Sequence, residues 1–189
     1  TAVIGKFFHT VEYAERQLLA FDRIESYAKP PGWKGPEPIL TFPPVKRAQK
    51  RDPAPKDKNS KAYREWRARN SDRYGDSGLE PEDEGDYRNA QIACALLKEF
   101  AQTKKQFFLS VHQSRPHTPL VAPKKYVDMY DPAKIPEPPA PPDVATSLYP
   151  RRVTVGNPDI FTSRQPTPRE VKEAIAAYYA CVSFIDSNI

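Results

Sequence analysis

A chain of 189 residues with 39% hydrophobic content and a net charge of +5 can bury one sizeable core, so one domain or part of one is expected. No run reaches the roughly 20 apolar residues a membrane-spanning helix needs. The two cysteines, Cys94 and Cys181, sit singly in helical apolar patterns, which excludes a disulfide scaffold and a zinc site and reads as two buried thiols. A mean hydropathy of -0.72 is polar for a compact α/β domain, and the 22 prolines explain part of it by gathering in connecting stretches.

In chain order, the apolar run Ala2-Val3-Ile4 breaks into Gly5-Lys6-Phe7-Phe8-His9, a strand end offering a lysine and a histidine together. Residues 11 to 28 carry Val11, Ala14, Leu18 and Ile24 at mixed helical spacing, which predicts an amphipathic helix ended by Pro30-Pro31-Gly32. From there to Pro55 the chain is irregular or extended. Residues 46 to 73 hold eleven Lys or Arg against four Asp or Glu, so the excess of seven exceeds the chain's total of +5 and the positive charge is local. With Tyr63, Trp66 and Tyr74 interleaved, this run reads as a solvated helix or insertion face, or as a surface for a polyanion. Residues 29 to 85 together form a basic, proline-rich and then acidic insertion-like segment.

The turn-rich acidic stretch Glu80 to Asp86 leads into a helix over 86 to 104, with Ala93, Leu96, Leu97 and Phe100 on its apolar face. After Lys104-Lys105-Gln106 comes Phe107, Phe108, Leu109 and Val111, a buried strand that breaks into the rigid loop Arg115-Pro116-His117 and Pro119. Helix, short turn and strand in that order suit a layered α/β sheet. His117 is thereby expected at the C-terminal edge of a strand, where open α/β sheets bind ligands. One or two helical turns are expected over 124 to 130, and a proline-rich loop over 131 to 168. Thr167-Pro168-Arg169-Glu170 is a capping box with proline at the first helical position. The helix it starts is expected to bury Val171, Ile175, Tyr178, Val182 and Ile185. There is no initiator Met and no readable signal peptide, and both ends read as cut.

Three blocks in this order carry a resemblance: Gly5-Lys6 with His9, then FFLSV with Arg115-Pro116-His117 and Pro123-Lys124-Lys125-Tyr126, then Ala177 to Asp186. Together they resemble the sulfatases of the alkaline-phosphatase-like superfamily, most closely the iduronate-2-sulfatase-like branch. The resemblance implies an α/β chain that is part of a layered sheet flanked by helices, with long proline-rich loops. The chain would be the interior portion of one catalytic domain. It implies that Lys6 contacts the sulfate and the nucleophile, that His9 hydrogen-bonds the nucleophile, and that His117 lies by the leaving-group oxygen as a plausible acid. Arg115 stands where lysine is common and is a candidate substrate contact. His112 occupies a place where glycine is expected and is read as structural.

These residue types suit sulfate ester hydrolysis, which needs cations for the sulfate oxygens and a proton for the leaving alcohol. The family's nucleophile is a formylglycine made within C-x-P-S-R or S-x-P-S-R, and neither motif occurs here. The formylglycine and the calcium ligands are therefore expected outside this chain, which by itself is expected to be inactive. By resemblance the full-length protein would take a sulfated small molecule or glycan, need a formylglycine-generating or maturase enzyme, bind no nucleic acid, and be periplasmic, secreted or lysosomal. A phosphodiesterase or phosphonate hydrolase of the same superfamily is the nearest alternative. A basic, proline-rich module binding nucleic acid or protein is the alternative from another class.

Overall fold

The computed structural model describes residues 1–6, 18–25, 32–45, 53–71, 73–137 and 166–189. These residues form a mixed α/β chain with small parallel sheets, divided into two compact units. The first unit comprises Thr1–Lys46, Glu80–Arg115 and Ile185–Ile189; the second comprises Arg47–Leu79 and Pro116–Phe184.

The first unit is built on β1 (Ala2–Ile4), with β2 (Arg23–Glu25) on one side and β4 (Leu109–Val111) on the other, all parallel. All three residues of β1 are fully buried, as expected for a central strand covered on both faces. Side chains alternate along a strand, so Ala2 and Ile4 share one face and Val3 takes the other. Ala2 and Ile4 pack on Ile92 and Leu96 of the helix α2 (Gly85–Thr103), with Phe100, Leu109, Ile39 and Phe42 around them. Val3 packs with Leu18 and Ile24, beside Phe21 and Trp33. The helix α2 follows a 3₁₀ turn, Pro81–Asp83, and stops where Lys104 adopts a left-handed conformation at φ 54°.

In the second unit β3 (Tyr74–Asp76) pairs in parallel with β5 (Leu120–Ala122). The helix α1 (Lys61–Ser71) is capped by Ser60, whose Oγ accepts the Tyr63 N–H at 3.0 Å. A short helix α3 (Lys124–Val127) follows β5, within the stretch where one or two turns are expected. The helix α4 (Pro168–Asp186) starts at the predicted capping box: Thr167 donates its N–H to Glu170 Oε2 at 2.8 Å, and Glu170 returns its N–H to Thr167 Oγ1 at 3.2 Å. Ala174 and Ala177 of α4 pack on Leu120 with Tyr74, and the rings of Phe184 and Tyr126 lie 5.2 Å apart.

Several expectations are corrected. Within the stretch expected as a helix over 11 to 28, residues 23 to 25 are the strand β2, because Ile24 completes the apolar face beside Val3 and the backbone pairs with β1. Residues 7–17, with His9, lie outside the described residues, as do 26–31, 46–52, 72 and 138–165. The strand begins only at Leu109, opposite Ala2, and Phe107 and Phe108 stay 50% and 57% exposed, their rings set against Phe100 and Phe21 respectively. On α2 the buried residues are Asp86, Asn89, Ala90, Ile92 and Leu96, while Leu97 is 44% exposed because one step of about 100° turns it off the sheet. On α4 the buried stripe is Ala174, Ala177, Cys181 and Phe184, and Tyr178 and Val182 of the expected stripe are exposed. Cys181 is buried, its thiol 3.5 Å from the Val121 carbonyl oxygen, but Cys94 is exposed.

The two adjacent leucines of α2 therefore separate sharply. Leu96→Ala is expected to lower unfolding free energy by about 2–4 kcal/mol through transfer and cavity terms, and Leu97→Ala by less than about 1 kcal/mol; urea midpoints of the two variants check this.

Candidate functional site

Parallel pairing brings the C-terminal ends of β1 and β4 side by side, Ile4 opposite Val111, so the Gly5-Lys6 segment and the segment leading to Arg115 leave the same edge of one sheet. The ladder continues one step past the strands: His112 donates its N–H to the Ile4 carbonyl at 2.9 Å, and Gly5 donates to the Glu25 carbonyl at 3.2 Å. Gly5 is buried at φ +77°. A Cβ there would run into the carbonyl oxygen of His112 and press to 2.9 Å on Nδ2 of Asn89. Only glycine allows both the turn and the approach. The chain then emerges from the sheet, and Lys6, the next residue, is exposed.

Asn89 reaches across from α2 and donates Nδ2–H to the same His112 carbonyl at 3.1 Å. The His112 ring is 2.8 Å from Ser110 Oγ through Nε2, and burial pushes its pKa below the usual histidine value. A half-buried ring so held fits the structural role expected for it.

The loop beyond is fastened by charge. Asp86, 1% exposed in the first turn of α2, accepts the Ser114 N–H at 2.6 Å through Oδ1. Its Oδ2 accepts the Arg115 N–H at 3.4 Å and the Arg115 guanidinium at 2.7 Å. Glu84, at the helix N-cap and also buried, takes the second guanidinium nitrogen at 2.7 Å. Burial opposes the arginine's charge, but the pull of Glu84 and the hydrogen bonds from Glu84 and Asp86 outweigh it, so the pKa of Arg115 is raised. Both terminal nitrogens of Arg115 thus serve carboxylates of the same chain.

His117 belongs to the second unit and is exposed. Its Nδ1 lies 2.8 Å from the Thr118 carbonyl oxygen. A carbonyl only accepts, so in this contact Nδ1 is the donor. Lys6 and Arg115 are in the first unit, at neighbouring strand ends.

Glu84, Asp86 and Asn89 were not singled out from sequence. Glu80 to Asp86 read as an acidic turn, yet an arginine beside a buried strand end requires a counter-charge, and an acidic first turn on the next helix was the available signal. Among the described residues no group of three or more His, Cys, Asp or Glu gathers to hold a metal ion. Glu84 and Asp86 are held by the guanidinium and do not fit a calcium site, so no step below runs through a metal.

Over 117 residues, 60% of this chain, the sequence is 33% identical to a curated protein named Sulfatase from Formosa agariphila. The match covers 23% of that protein's length. This similarity supports the sulfatase family. No known family profile matches the chain, and no solved structure does.

The close approach at Gly5 makes a direct prediction. Gly5→Ala combines a disfavoured left-handed conformation with contact against backbone, and is expected to destabilise the chain by about 2–4 kcal/mol; thermal or urea unfolding measures it.

Proposed function

We propose that this chain is the interior of a sulfatase catalytic domain with alkaline-phosphatase-like layering, of the iduronate-2-sulfatase type. It would act on a sulfate ester carried by a sugar or glycosaminoglycan. The observation that carries the reading is the parallel pairing of β1 with β4, which sets the segments of two separate sequence motifs at one sheet edge. The similarity to a sulfatase over 60% of the chain supports the sulfatase part of this reading.

In this reading Lys6, lifted off the buried strand by Gly5, places an ammonium against the sulfate oxygens, where it balances negative charge as the ester bond breaks. His9 would hydrogen-bond the nucleophile. The protonated ring of His117 gives its Nε2 hydrogen to the leaving alkoxide as the sulfur–oxygen bond cleaves, leaving a neutral ring that keeps its Nδ1–H on the Thr118 carbonyl. The nucleophile, a formylglycine hydrate in sulfatases, would be supplied by polypeptide outside this chain, as would calcium.

Two measurements test this. The isolated chain, given calcium and an aryl sulfate, is expected to show no turnover above background. In the full-length protein, His117→Asn is expected to lower kcat about 10²–10⁴-fold on an alkyl or sugar sulfate and far less on 4-nitrophenyl sulfate, whose leaving group needs no proton. Equal losses on both esters would remove His117 as the acid.

The substrate class rests on charge. Lys56, Lys58, Lys61 and Arg64 are exposed around the start of α1, and clustered positive charge raises the local concentration of a polyanion. Replacing all four with Ala is expected to lower kcat/KM several-fold on a sulfated polysaccharide at low salt and to leave a monosaccharide sulfate within about twofold.

A further inference from the structure

We propose that Asn89 is a positioning residue for Lys6: its side-chain amide, bonded to the His112 carbonyl, completes the wall against which Gly5 turns and so fixes the backbone from which Lys6 leaves the sheet. This rests on the sulfatase reading, in which Lys6 meets the sulfate oxygens. Every group involved lies in the first unit. Asn89 shares the buried face of α2 with Ile92 and Leu96, the two side chains of the helix that cover Ala2 and Ile4. A position on such a face is ordinarily apolar. Asn89 is 7% exposed, and a buried amide is accommodated only where it finds a hydrogen-bond partner. That partner is the His112 carbonyl oxygen, 3.1 Å from Nδ2. A carbonyl can only accept, so what this position supplies is an amide hydrogen.

The bond matters because of what packs against it. His112 donates its N–H to the Ile4 carbonyl at 2.9 Å and offers its own carbonyl to Asn89, so one residue joins the end of β1 to the helix. Gly5 is lodged against both. Its N–H is held by the Glu25 carbonyl at 3.2 Å, and a Cβ built on it would collide with the His112 oxygen and stand 2.9 Å from Asn89 Nδ2. Bounded by β2 on one side and by His112 and Asn89 on the other, Gly5 turns at φ +77°, and that turn sets the direction in which the chain continues. Lys6 is the next residue, one Cα step of about 3.8 Å away, and is exposed. Removing the amide hydrogen takes from the His112 carbonyl the donor that holds it against Gly5. A displacement of about 1 Å at a reacting contact can cost about 10²-fold in rate.

The test uses the full-length protein with Asn89→Asp, which keeps the side chain's shape and removes the donor, and with Asn89→Ala. In both variants kcat/KM is expected to fall about tenfold, and by the same factor on an alkyl sulfate and on 4-nitrophenyl sulfate, because Lys6 acts on the sulfate oxygens whatever the leaving group. In a Lys6→Ala background either substitution is expected to cost less than about twofold. Amide exchange at Gly5 and Lys6, read by mass spectrometry, is expected to quicken about tenfold while exchange over 93–103 of α2 stays unchanged. Unchanged kcat/KM would overturn the proposal. The same loss in Lys6→Ala as in the wild type would overturn it too, since an amide that only stabilises the fold gives that result. A loss confined to the alkyl sulfate would tie Asn89 to the leaving group and sink the proposal equally. Should Asn89→Asp fail to fold, Asn89→Ala gives the same reading with no new charge in the core. If the wild-type protein hydrolyses no sulfate ester the functional reading fails, while exchange at Gly5 and Lys6 still decides whether the amide holds this turn.

Discussion

A guanidinium cannot be taken out of water without counter-charges, and at Arg115 that requirement organises the sheet edge. Burying an ion costs several kcal/mol even after relaxation. The chain meets the cost with two carboxylates at 2.7 Å, both drawn from the start of α2. Glu84 and Asp86 sit where a helix N-terminus favours negative charge, by about 0.3–1 kcal/mol each at an exposed site. The same two residues therefore suit the beginning of the helix and fasten the loop that leaves β4. Removing Arg115 would leave two buried carboxylates uncompensated, which is costlier than never having built the cluster. The loop and the helix start stand or fall together.

How much of this was legible in the sequence follows from which interactions are local. The capping box of α4 and the helix α2 are encoded within a few consecutive residues and were read correctly in kind and nearly in extent. The sheet edge was partly legible, because a run of apolar residues ending in Gly5 or in a proline loop marks a strand end whatever it pairs with. What could not be read was pairing: that β1 and β4 are neighbours joins residues over a hundred positions apart. Asp86 escaped notice for the same reason. Its partners lie 28 and 29 positions away, and nothing in its neighbours distinguishes it from a solvated acid.

The misjudged faces have a common cause. Hydrophobic pattern counts size, whereas contact with a sheet rewards close approach. On α4 the larger apolar residues form one stripe and the alanines another, and it is the stripe with the alanines that is buried, Ala174 and Ala177 packing on Leu120 beside Tyr74 and Phe184 lying against Tyr126. On β4 the reverse happens: Phe107 and Phe108 look like core, yet each covers a neighbouring ring while half its surface stays wet, even though the Phe108 carbonyl accepts the Ala2 N–H at 2.9 Å. In both places geometry between elements outranked the apolar character of single residues.

The charged side chains at this edge differ in what they are committed to. Arg115 with Glu84 and Asp86 forms a cluster of one positive and two negative charges, so its sum is negative and it offers a sulfate no net attraction. Lys6, exposed one residue past Gly5, is a cation that the fold has not matched to a hydrogen-bonded carboxylate among the described residues. Attraction at longer range has to come from the chain's surplus, +5 overall and concentrated over residues 46 to 73. At physiological salt that surplus is screened over about 8 Å. Arg115, committed to Glu84 and Asp86, acts within this edge by holding the loop after β4 to the start of α2 and not through its charge.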